Sequence, residues 1–480
     1  MTGRSKILVL LAGLVTTIAQ AQDMDIVSQR DIQGTARYTA MAGAMTAVGG
    51  DPSAVQDNPA GLGVYRRSEV TFTMDMLMNR FHQHEYPAYV SKVNNFTVPQ
   101  AAFVFSFGSY GKERGLLYSN FMLSFHQLAR FSRTYSAVST QPVPSLAEVI
   151  ASKTDGLSED AVQAAGRWDD PEIGWLSCQG YDTYLIDPLR DNKWVSVTRG
   201  GLVNNDIMVQ ESGYANAYSF SWGGNINNQL YIGATLNILS YYHNQTTRYR
   251  ETLSEDCAIH NNTYVSQSAI GVNGVFGLLY RPLNWLRIGA SFQTPGALST
   301  TTTNYGTLSS TLYINDTLRT LYSPEQAMQN SARESYYRFP LRASGGVAFQ
   351  FLRYGLISLQ YDYAHSAYMQ DVHTLKVGLE GVICHNYFIN AGYAYESMFK
   401  AMEAEKLANN TVRTDTHSQY IRDSHYGSIG FGFRNNLVIA QVAYQLRALQ
   451  MDVFAHELCQ TPYDIRALNH RVTFTLGFHW

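Results

Sequence analysis

The chain ends in the stretch HRVTFTLGFHW, residues 470–480. Every even position from Val472 to Trp480 is apolar, and every odd position between them is polar or glycine. Because successive side chains of a β-strand point to opposite faces, this period of two predicts a strand with one apolar and one polar face. A half-buried strand of a soluble sheet would have the same pattern, so the fold depends on whether the pattern recurs.

The same alternation recurs along most of the chain after residue 68. Residues 70–78, 230–238, 286–293 and 357–363 all show it. We count 14 such segments in the sequence and predict an antiparallel strand for each. The predicted strands are 68–78, 97–107, 115–126, 213–223, 229–248, 263–281, 285–299, 335–351, 355–365, 372–382, 386–397, 424–434, 437–449 and 468–480.

The connections between these strands alternate in length. The even-numbered connections are short, as in 108–114, whereas most odd-numbered ones are long, above all 127–212, 300–334, 398–423 and 450–467. Bacterial outer-membrane barrels have tight periplasmic turns and long extracellular loops, and an even strand number leaves both termini in the periplasm. We therefore predict an all-β fold, a 14-stranded antiparallel transmembrane β-barrel over residues 68–480 in the bacterial outer membrane, with those four segments as extracellular loops.

Composition excludes several other classes. Aromatic residues make up 13% of the 480 residues and charged residues only 15%, with a formal net charge of −3. A chain this aromatic is not disordered, and the balanced charge argues against a nucleic-acid partner. Four cysteines are too few for a disulfide scaffold. Either they are free thiols, or one disulfide forms among Cys178, Cys257 and Cys459, because Cys384 falls in a periplasmic turn at the other side of the membrane.

The N-terminus has the pattern of a secretory signal peptide. Arg4 and Lys6 precede the apolar run 7–15, and Ala19-Gln20-Ala21 supplies a cleavage site of small residues. The apolar run is too short to span a bilayer as a helix. We predict a signal peptide over residues 1–21 and a mature chain that functions outside the cytoplasm.

Residues 22–67 do not alternate and are rich in small side chains. Within them, Asn58-Pro59 followed by Ala60-Gly61 predicts a tight turn, since proline fixes φ and glycine frees it. A compact segment that precedes a barrel large enough to hold it suggests a partly helical plug, or hatch, inside the lumen. A periplasmic tail is the alternative that composition leaves open.

The same segment carries a family resemblance. Gly34-Thr35-Ala36-Arg37, Gly49-Gly50-Asp51 and above all Asn58-Pro59-Ala60-Gly61-Leu62 are similar to the hatch of the FadL-type outer-membrane transporters of long-chain fatty acids, and residues 288–295, 339–342 and 358–363 resemble later family stretches. The resemblance implies a hatch-plugged barrel of 14 strands that takes up hydrophobic molecules. It also implies capture among outer loops, movement of the hatch turn Asn58–Gly61, and lateral exit at a kinked third strand, which corresponds to 115–126 here.

Other candidate residues follow from their predicted positions. For capture of a hydrophobic ligand we consider the apolar loop residues Trp168, Trp175, Leu312, Tyr313 and Leu321. The terminal Phe478 and Trp480 resemble the signal that barrel-assembly machinery recognises. A set of charged side chains is predicted to face inward, where it would hold a hatch or line a water-filled pore. This set comprises Asp75, Arg287, Asp362, Lys376, Glu380, Glu396, Arg434, Arg447 and Arg471.

The predicted function is passive uptake of hydrophobic small molecules, long-chain fatty acids or similar. We find no catalytic, metal or phosphate-binding motif, so we expect neither an enzyme nor a cofactor. Ser124 and His126 share one strand face but have no evident acidic partner. We expect a monomer surrounded by outer-membrane lipid. The alternatives are a surface receptor or adhesin built on a plugged barrel, and a porin for polar solutes.

Overall fold

The wall of the molecule is one antiparallel sheet that closes on itself. A computed structural model describes residues 30–480 apart from 87–89, 110, 112, 171, 324–332, 352–353, 367–368, 385 and 398–413. The predicted signal peptide and residues 22–29 of the predicted hatch therefore lie outside the described residues. The sheet has 14 wall strands, as predicted, and each pairs with its neighbours in chain order.

Two of the wall strands are interrupted by proline-containing breaks. Strand β7 is broken around Pro295 and β8 around Pro340. The strands are β1 Glu69–Gln83, β2 Ser91–Gly108, β3 Leu116–Val138, β4 Leu202–Ile226, β5 Leu230–Thr252, β6 Ala258–Leu283, β7 Leu286–Gln293 and Ala297–Ile314, β8 Arg333–Arg338 and Leu341–Phe351, β9 Gly355–Ser366, β10 Met369–Cys384, β11 Tyr387–Glu396, β12 Ser418–Arg434, β13 Val438–Phe454 and β14 Tyr463–His479.

The C-terminal stretch closes the barrel. Strand β14 pairs with β13 on one side and with β1 on the other, so that Phe478 lies opposite both Val438 and Val70. Along β14 the side chains Phe474, Leu476 and Phe478 point outward and are about half exposed, whereas Thr473 and Thr475 are buried in the lumen. The alternation seen in the sequence thus separates the exterior from the interior of the barrel.

The exterior is an apolar belt. Outward side chains such as Phe72, Phe220, Leu236 and Phe276 are exposed on successive parts of the wall. A closed sheet leaves no unpaired edge, and an apolar outer face with a polar inner face is the arrangement that lipid requires. We conclude that this is an outer-membrane barrel, with the short turns at its periplasmic end.

No helix in the described part of the chain is long and apolar enough to cross a bilayer. The four cysteines are free thiols, with Cys178 and Cys459 buried, Cys257 half-buried and Cys384 exposed.

The strands extend further outward than the sequence analysis predicted. The segment 127–212 begins with the end of β3 and finishes with the start of β4, and 300–334 contains the outer part of β7 and a hairpin arm at Thr317–Tyr322. Strands β12, β13 and β14 likewise extend into 398–423 and 450–467. Above the bilayer both faces of a strand can be polar, so polar composition there does not distinguish a strand from a loop.

A small folded lid covers the outer mouth of the barrel. It consists of three helices and a pair of short strands. Numbered after the two helices of residues 30–67, the helices are α3 Leu146–Thr154, α4 Glu159–Gln163 and α5 Trp175–Asp182, and the paired strands are Ile186–Pro188 and Trp194–Ser196. Its apolar core, which includes Ile150 and Leu185, continues into inward side chains of the wall such as Leu308 and Met451. We call residues 139–201 the lid.

Residues 30–67 pack inside the barrel, and we call them the inner segment. They form α1 Ala36–Ala40, α2 Pro52–Asp57 and a 3-10 helix at Pro59–Val64. Helix α2 begins where the Asp51 side chain accepts hydrogen bonds from the amides of Ser53 and Ala54, with proline at the first helical position. Nearly every residue from 31 to 63 is buried, because the wall surrounds the segment.

Candidate functional site

The ladder between β2 and β3 stops halfway up the wall. These strands pair from Gly108↔Tyr118 up to Gln100↔His126, and no pairing continues above that point. The outer half of β2 is still paired with β1, and β3 remains paired with β4 as far as Val138. We call the separation between residues 91–99 of β2 and residues 127–138 of β3 the wall gap.

Local sequence explains where the gap begins. Pro99 has no amide hydrogen to donate at the position where the ladder ends, and proline is normally confined to strand edges. On the facing strand, the register between β3 and β4 shifts between Gln127 and Ala129, which marks a bulge. A bulge bends a strand, so β3 turns away from β2 directly above His126.

The outer half of β3 passes inside the wall. Two inward side chains of β1 bind its backbone: Asn79 Nδ2 donates to the Ser132 carbonyl (2.6 Å), and Gln83 Nε2 donates to the Val138 carbonyl (2.8 Å). Consistent with this position, Phe131, Ser132 and neighbouring β3 residues are buried on both faces of the strand. The opening between β2 and β3 therefore leads to the buried interior of the barrel and not to solvent.

The inner segment occupies the edge of β3 that β2 leaves. The Asp31 amide donates to the Leu128 carbonyl (2.8 Å), and the Arg130 amide donates to Asp31 Oδ2 (3.3 Å). Below them, Gln33 Nε2 donates to the Gln127 carbonyl (2.7 Å). Residues 31–33 therefore replace β2 as the partner of β3 at the kink.

Asp31 also binds two arginines, one on β13 and one on β14. Its carboxylate lies 3.0 Å from Arg447 Nη1 and 3.7 Å from Arg471 Nη2. Arg471 in turn lies 3.4 Å from Asp75 of β1 and donates to Gln33. One carboxylate thus connects β3, β13 and β14, and all of these groups are buried or nearly so.

Two further ion pairs stabilise the inner segment, one that attaches it to the wall and one within the segment itself. Arg37 of α1 donates through Nε to Glu380 Oε2 of β10 (2.6 Å), and Arg30 Nη2 lies 2.6 Å from Asp57 of α2. Burial by itself would lower the pKa of Arg37, but the carboxylate of Glu380 outweighs it and raises the pKa above the usual range. The guanidinium is therefore always charged, so this contact does not depend on pH through Arg37.

The turn Asn58–Gly61 docks on a floor of wall glycines. Asn58 Nδ2 donates to the carbonyls of Thr46 (2.7 Å) and Leu278 (3.1 Å), while its Oδ1 accepts from the Ala60 amide (3.1 Å). A Cβ on Gly277 would lie 2.0 Å from Asn58 Oδ1, and one on Gly233 would lie 2.3 Å from the Pro59 carbonyl carbon. Backbone approach this close requires glycine. The turn is therefore fixed to β5 and β6, away from the wall gap.

The five residues considered for ligand capture do not form one site. Trp168 and Trp175 contact each other in the lid, with ring centroids 5.8 Å apart, and Trp175 is buried. Leu312 is buried in the core beneath the lid, whereas Leu321 is half-buried on the hairpin arm. Tyr313 is exposed and donates its hydroxyl hydrogen to Asp256 (2.9 Å).

The remaining predicted residues lie where the sequence analysis placed them. Phe478 and Trp480 are exposed at the periplasmic end of β14. Of the predicted inward charges, Glu380, Arg447 and Arg471 bind the inner segment as described, and Arg287 Nη1 donates to the Val48 carbonyl (2.7 Å). These four inward charged residues therefore hold the inner segment in place.

Sequence analysis did not identify the residues of the wall gap. The resemblance pointed to 115–126, but residues 118–126 remain paired with β2, and the departure begins at Gln127. Pro99 was the available signal, because it lies within a strand predicted to be paired on both sides. Asp31 gave no signal, since its partners on β3, β13 and β14 are distant in the sequence.

Comparisons with known proteins agree with this architecture. No protein-family model and no curated protein sequence matches the chain. Among solved structures, it is similar to the Ralstonia pickettii toluene transporter TbuX (13% identity, TM-score 0.51) and to a Pseudomonas aeruginosa FadL homologue (12% identity, TM-score 0.51), each with 94% of this chain and 99% of that chain covered. Likeness at this identity concerns the fold alone, and it confirms that this chain has the fold of the FadL-type transporters.

Proposed function

We propose that the chain is a passive transporter of hydrophobic small molecules, long-chain fatty acids or similar, across the outer membrane. In this proposal a ligand is captured at the lid, the N-terminal part of the inner segment acts as a hatch that moves away from β3, and the ligand leaves sideways through the wall gap. The observation that carries the proposal is that residues 31–33 occupy the lumen side of the gap.

The surroundings of the gap suit an apolar ligand. On the outward face of β2 beside it, Phe96 is 69% exposed, and the wall below continues with the exposed Phe103 and Phe105. A molecule that passes through the gap would therefore meet lipid and not water, which favours an apolar over a polar solute. TbuX is described as a toluene transporter, and our proposal extends that kind of ligand to this chain.

The two attachments of the inner segment suggest which part moves. The turn Asn58–Gly61 is fixed to the wall through the hydrogen bond from Asn58 to the Leu278 carbonyl and through close backbone packing on Gly233 and Gly277, and Asn58 also binds the Thr46 carbonyl of the inner segment. Residues 31–33 depend instead on a few polar contacts to β3, β13 and β14. We propose that the turn is the pivot and that residues 31–33 are the moving end.

The charged zone of the lumen argues against a porin for polar solutes. Two cavities there, one lined by Arg30, Asp57 and Lys376 and the other by Arg130 and Arg133, have volumes of about 40 Å³ and 20 Å³. Each has room for a water molecule or two, but not for a hydrated solute. We further propose that the chain acts as a monomer, and that Phe478 and Trp480 are the signal for barrel assembly.

A reversible link across the gap tests the proposed exit. Asn95 of β2 donates to the Ser132 hydroxyl of β3, so their side chains meet across the gap. In a background with the four native cysteines changed to serine, the double variant Asn95→Cys/Ser132→Cys is expected to lose most uptake of labelled long-chain fatty acid after oxidation or treatment with a short bis-thiol reagent. Reduction of the disulfide should restore the uptake.

The matched control places the same link where the ladder is closed. Phe103 and Leu123 are register partners on β2 and β3 and both face outward. Crosslinked Phe103→Cys/Leu123→Cys should transport at the rate of its uncrosslinked form. Unimpaired uptake through a fully crosslinked gap would exclude the lateral route, and no uptake by the well-folded parent would shift the function towards the receptor alternative.

A further inference from the structure

Charged side chains form a rim at the outer end of the apolar belt. On β1 the outward residues are apolar from Val70 to Met78, and the next outward residue is Arg80. On β2 the corresponding residue is Lys92, whereas on β14 the first outward charge is Arg466, one row further out than the exposed Leu468 that lies opposite Arg80. This is the height at which the headgroups of the outer leaflet meet the wall.

On one part of this rim the charges are balanced. Arg422 of β12 binds Asp452 of β13 with two hydrogen bonds, of 2.8 and 2.6 Å. On β14, Arg466 lies 3.3 Å from Asp464. Each guanidinium there has its own carboxylate, so this part needs no external ion.

On β1 and β2 the charges are not balanced. Arg80 and Lys92 are direct register partners, both exposed and both outward-facing. Within the described residues neither side chain has an ionic or hydrogen-bonding partner. The next row outward pairs His82 with Arg466, so no acid is opposite in that row either. Like charges directly opposite each other destabilise a strand pair, and an anion between them would remove that cost.

The surface below the pair is apolar on β1, while on β2 the exposed Asn94, opposite Met78, lies between Lys92 and the apolar Phe96. Met76 and Phe96 are register partners four positions further down, and they are 43% and 69% exposed. A lipid whose acyl chains lie along these residues has its headgroup at the height of Arg80 and Lys92. A guanidinium binds phosphate oxygens in a bidentate manner, and an ammonium adds a mobile point charge.

We propose that Arg80 and Lys92 form a docking site for the phosphorylated headgroup of a lipid of the outer leaflet, with its acyl chains on Met76 and Phe96. The site lies on the outer face of the two strands and does not depend on transport. Its occupant is defined by two features together, a phosphate for the cation pair and an acyl chain for the apolar strip.

The test measures binding of lipid A, in its diphosphorylated and dephosphorylated forms, to the purified full chain in detergent. Native mass spectrometry or fluorescence titration should show tighter binding of the diphosphorylated form, weakened by added salt because exposed charges are screened. The double variant Arg80→Gln/Lys92→Gln is expected to reduce this affinity about tenfold or more and to leave the weaker binding of the dephosphorylated form unchanged.

A matched control removes the same charge at the opposite end of the barrel. Arg114→Gln/Arg281→Gln changes one cation of a periplasmic turn and one at the periplasmic end of β6, and it should leave lipid A binding at the parental level. Heat-modifiable migration on gels checks that both variants form the barrel. Equal affinity of the rim variant and the parent would overturn the proposal. Equal affinity for the two forms of lipid A, or displacement of the lipid by an equal concentration of inorganic phosphate, would also overturn it.

Discussion

Asp31 shows how a single side chain can organise a site that no sequence pattern marks. Its backbone takes the place of β2 on the edge of β3, and its carboxylate binds Arg447 and Arg471. A buried carboxylate is costly unless it is paired and hydrogen-bonded, and here two guanidiniums and one amide meet that requirement. Each arginine also has another acid nearby, Asp75 for Arg471 and Glu396 for Arg447, so in the proposed movement of residues 31–33 neither guanidinium would be left without a carboxylate.

The substitution Gly277→Ala tests whether the inner segment closes the lumen. In Gly277→Ala the new Cβ would meet Asn58 Oδ1 at 2.0 Å and the Ala60 amide nitrogen at 2.9 Å, and both belong to a turn that cannot shift without losing its hydrogen bonds. Overpacking of this kind costs about 1–3 kcal/mol. We expect the turn to be displaced and the ion conductance of the barrel in planar bilayers to rise well above that of the parent.

Gly345→Ala is the control for this substitution. A Cβ at Gly345 has no neighbour within 4 Å, so the same change of residue should leave the conductance unaltered. Parental conductance in Gly277→Ala would mean that the turn is not part of the closure.

At the scale of elements, the sequence determines the strands more clearly than their partners. The alternation Phe474-Thr475-Leu476 is a local property, and it correctly predicted which side chain faces lipid and which faces the lumen. The departure of β3 from β2 is only partly local, because Pro99 and the bulge between Gln127 and Ala129 account for where it begins, while β3 still pairs with β4 at its other edge. It depends on a competing partner, the backbone at Asp31, which is about a hundred residues away in the chain.

The lid gives the same lesson for the candidate ligand residues. Trp175 and Leu312 are apolar residues in a segment predicted to be an extracellular loop, and exposure to a ligand was a reasonable hypothesis. In the structure both are buried, because α5 and the outer part of β7 share one core. A sequence shows that such residues need an apolar environment, but not whether a ligand or the rest of the lid supplies it.

The junction of the lid with the wall is sensitive to pH through His456. Burial lowers the pKa of His456 to about 4, and the hydrogen bond from its ring to the Pro144 carbonyl only partly opposes this. The ring packs against Tyr249, with centroids 6.2 Å apart, and its Nε2 lies 3.4 Å from Cys459 Sγ. No acidic group within these contacts compensates a positive charge on the imidazole.

The sign of the effect follows from proton linkage. An unburied histidine titrates near 6.5, so between this value and about pH 4 the imidazole of His456 takes up a proton when the lid unfolds and uncovers it, but not while the lid is folded. The stability of the lid is therefore complete above pH 6.5 and is lost as the pH falls, by about 2 kcal/mol at pH 5.

Urea unfolding of the lid, followed by fluorescence of its tryptophans, should show this loss in the parent. His456→Gln should remove most of the pH dependence, and an equal dependence in that variant would assign it to another group.

At the scale of the whole molecule, three parts of the structure close the barrel. The lid covers the outer mouth, the inner segment fills the lumen, and the outer half of β3 with residues 31–33 backs the wall gap. The charged side chains of the lumen hold the middle layer, while the apolar core of the lid is continuous with the wall. In the proposed route a hydrophobic ligand would meet the apolar layer first, which would separate capture at the lid from release at the wall gap.

Removal of the lid separates capture from transport, and the structure defines where to cut. Deletion of 127–212 would remove the outer halves of β3 and β4, which pair as far as Val138↔Asp206. Replacement of only residues 140–201 by a short glycine–serine linker keeps that ladder, because Val138 and Leu202 end the two strands.

If the lid serves capture, uptake of labelled fatty acid should show an increased KM, roughly tenfold for the loss of one or two well-packed apolar contacts, with a similar maximal rate. The matched control replaces only the exposed arm residues 317–320 by a glycine–serine linker, which keeps the capture candidate Leu321, and it should retain the parental KM. Unchanged uptake kinetics together with lost attachment to cells or surfaces would instead identify the lid as the binding face of an adhesin on an otherwise inert barrel.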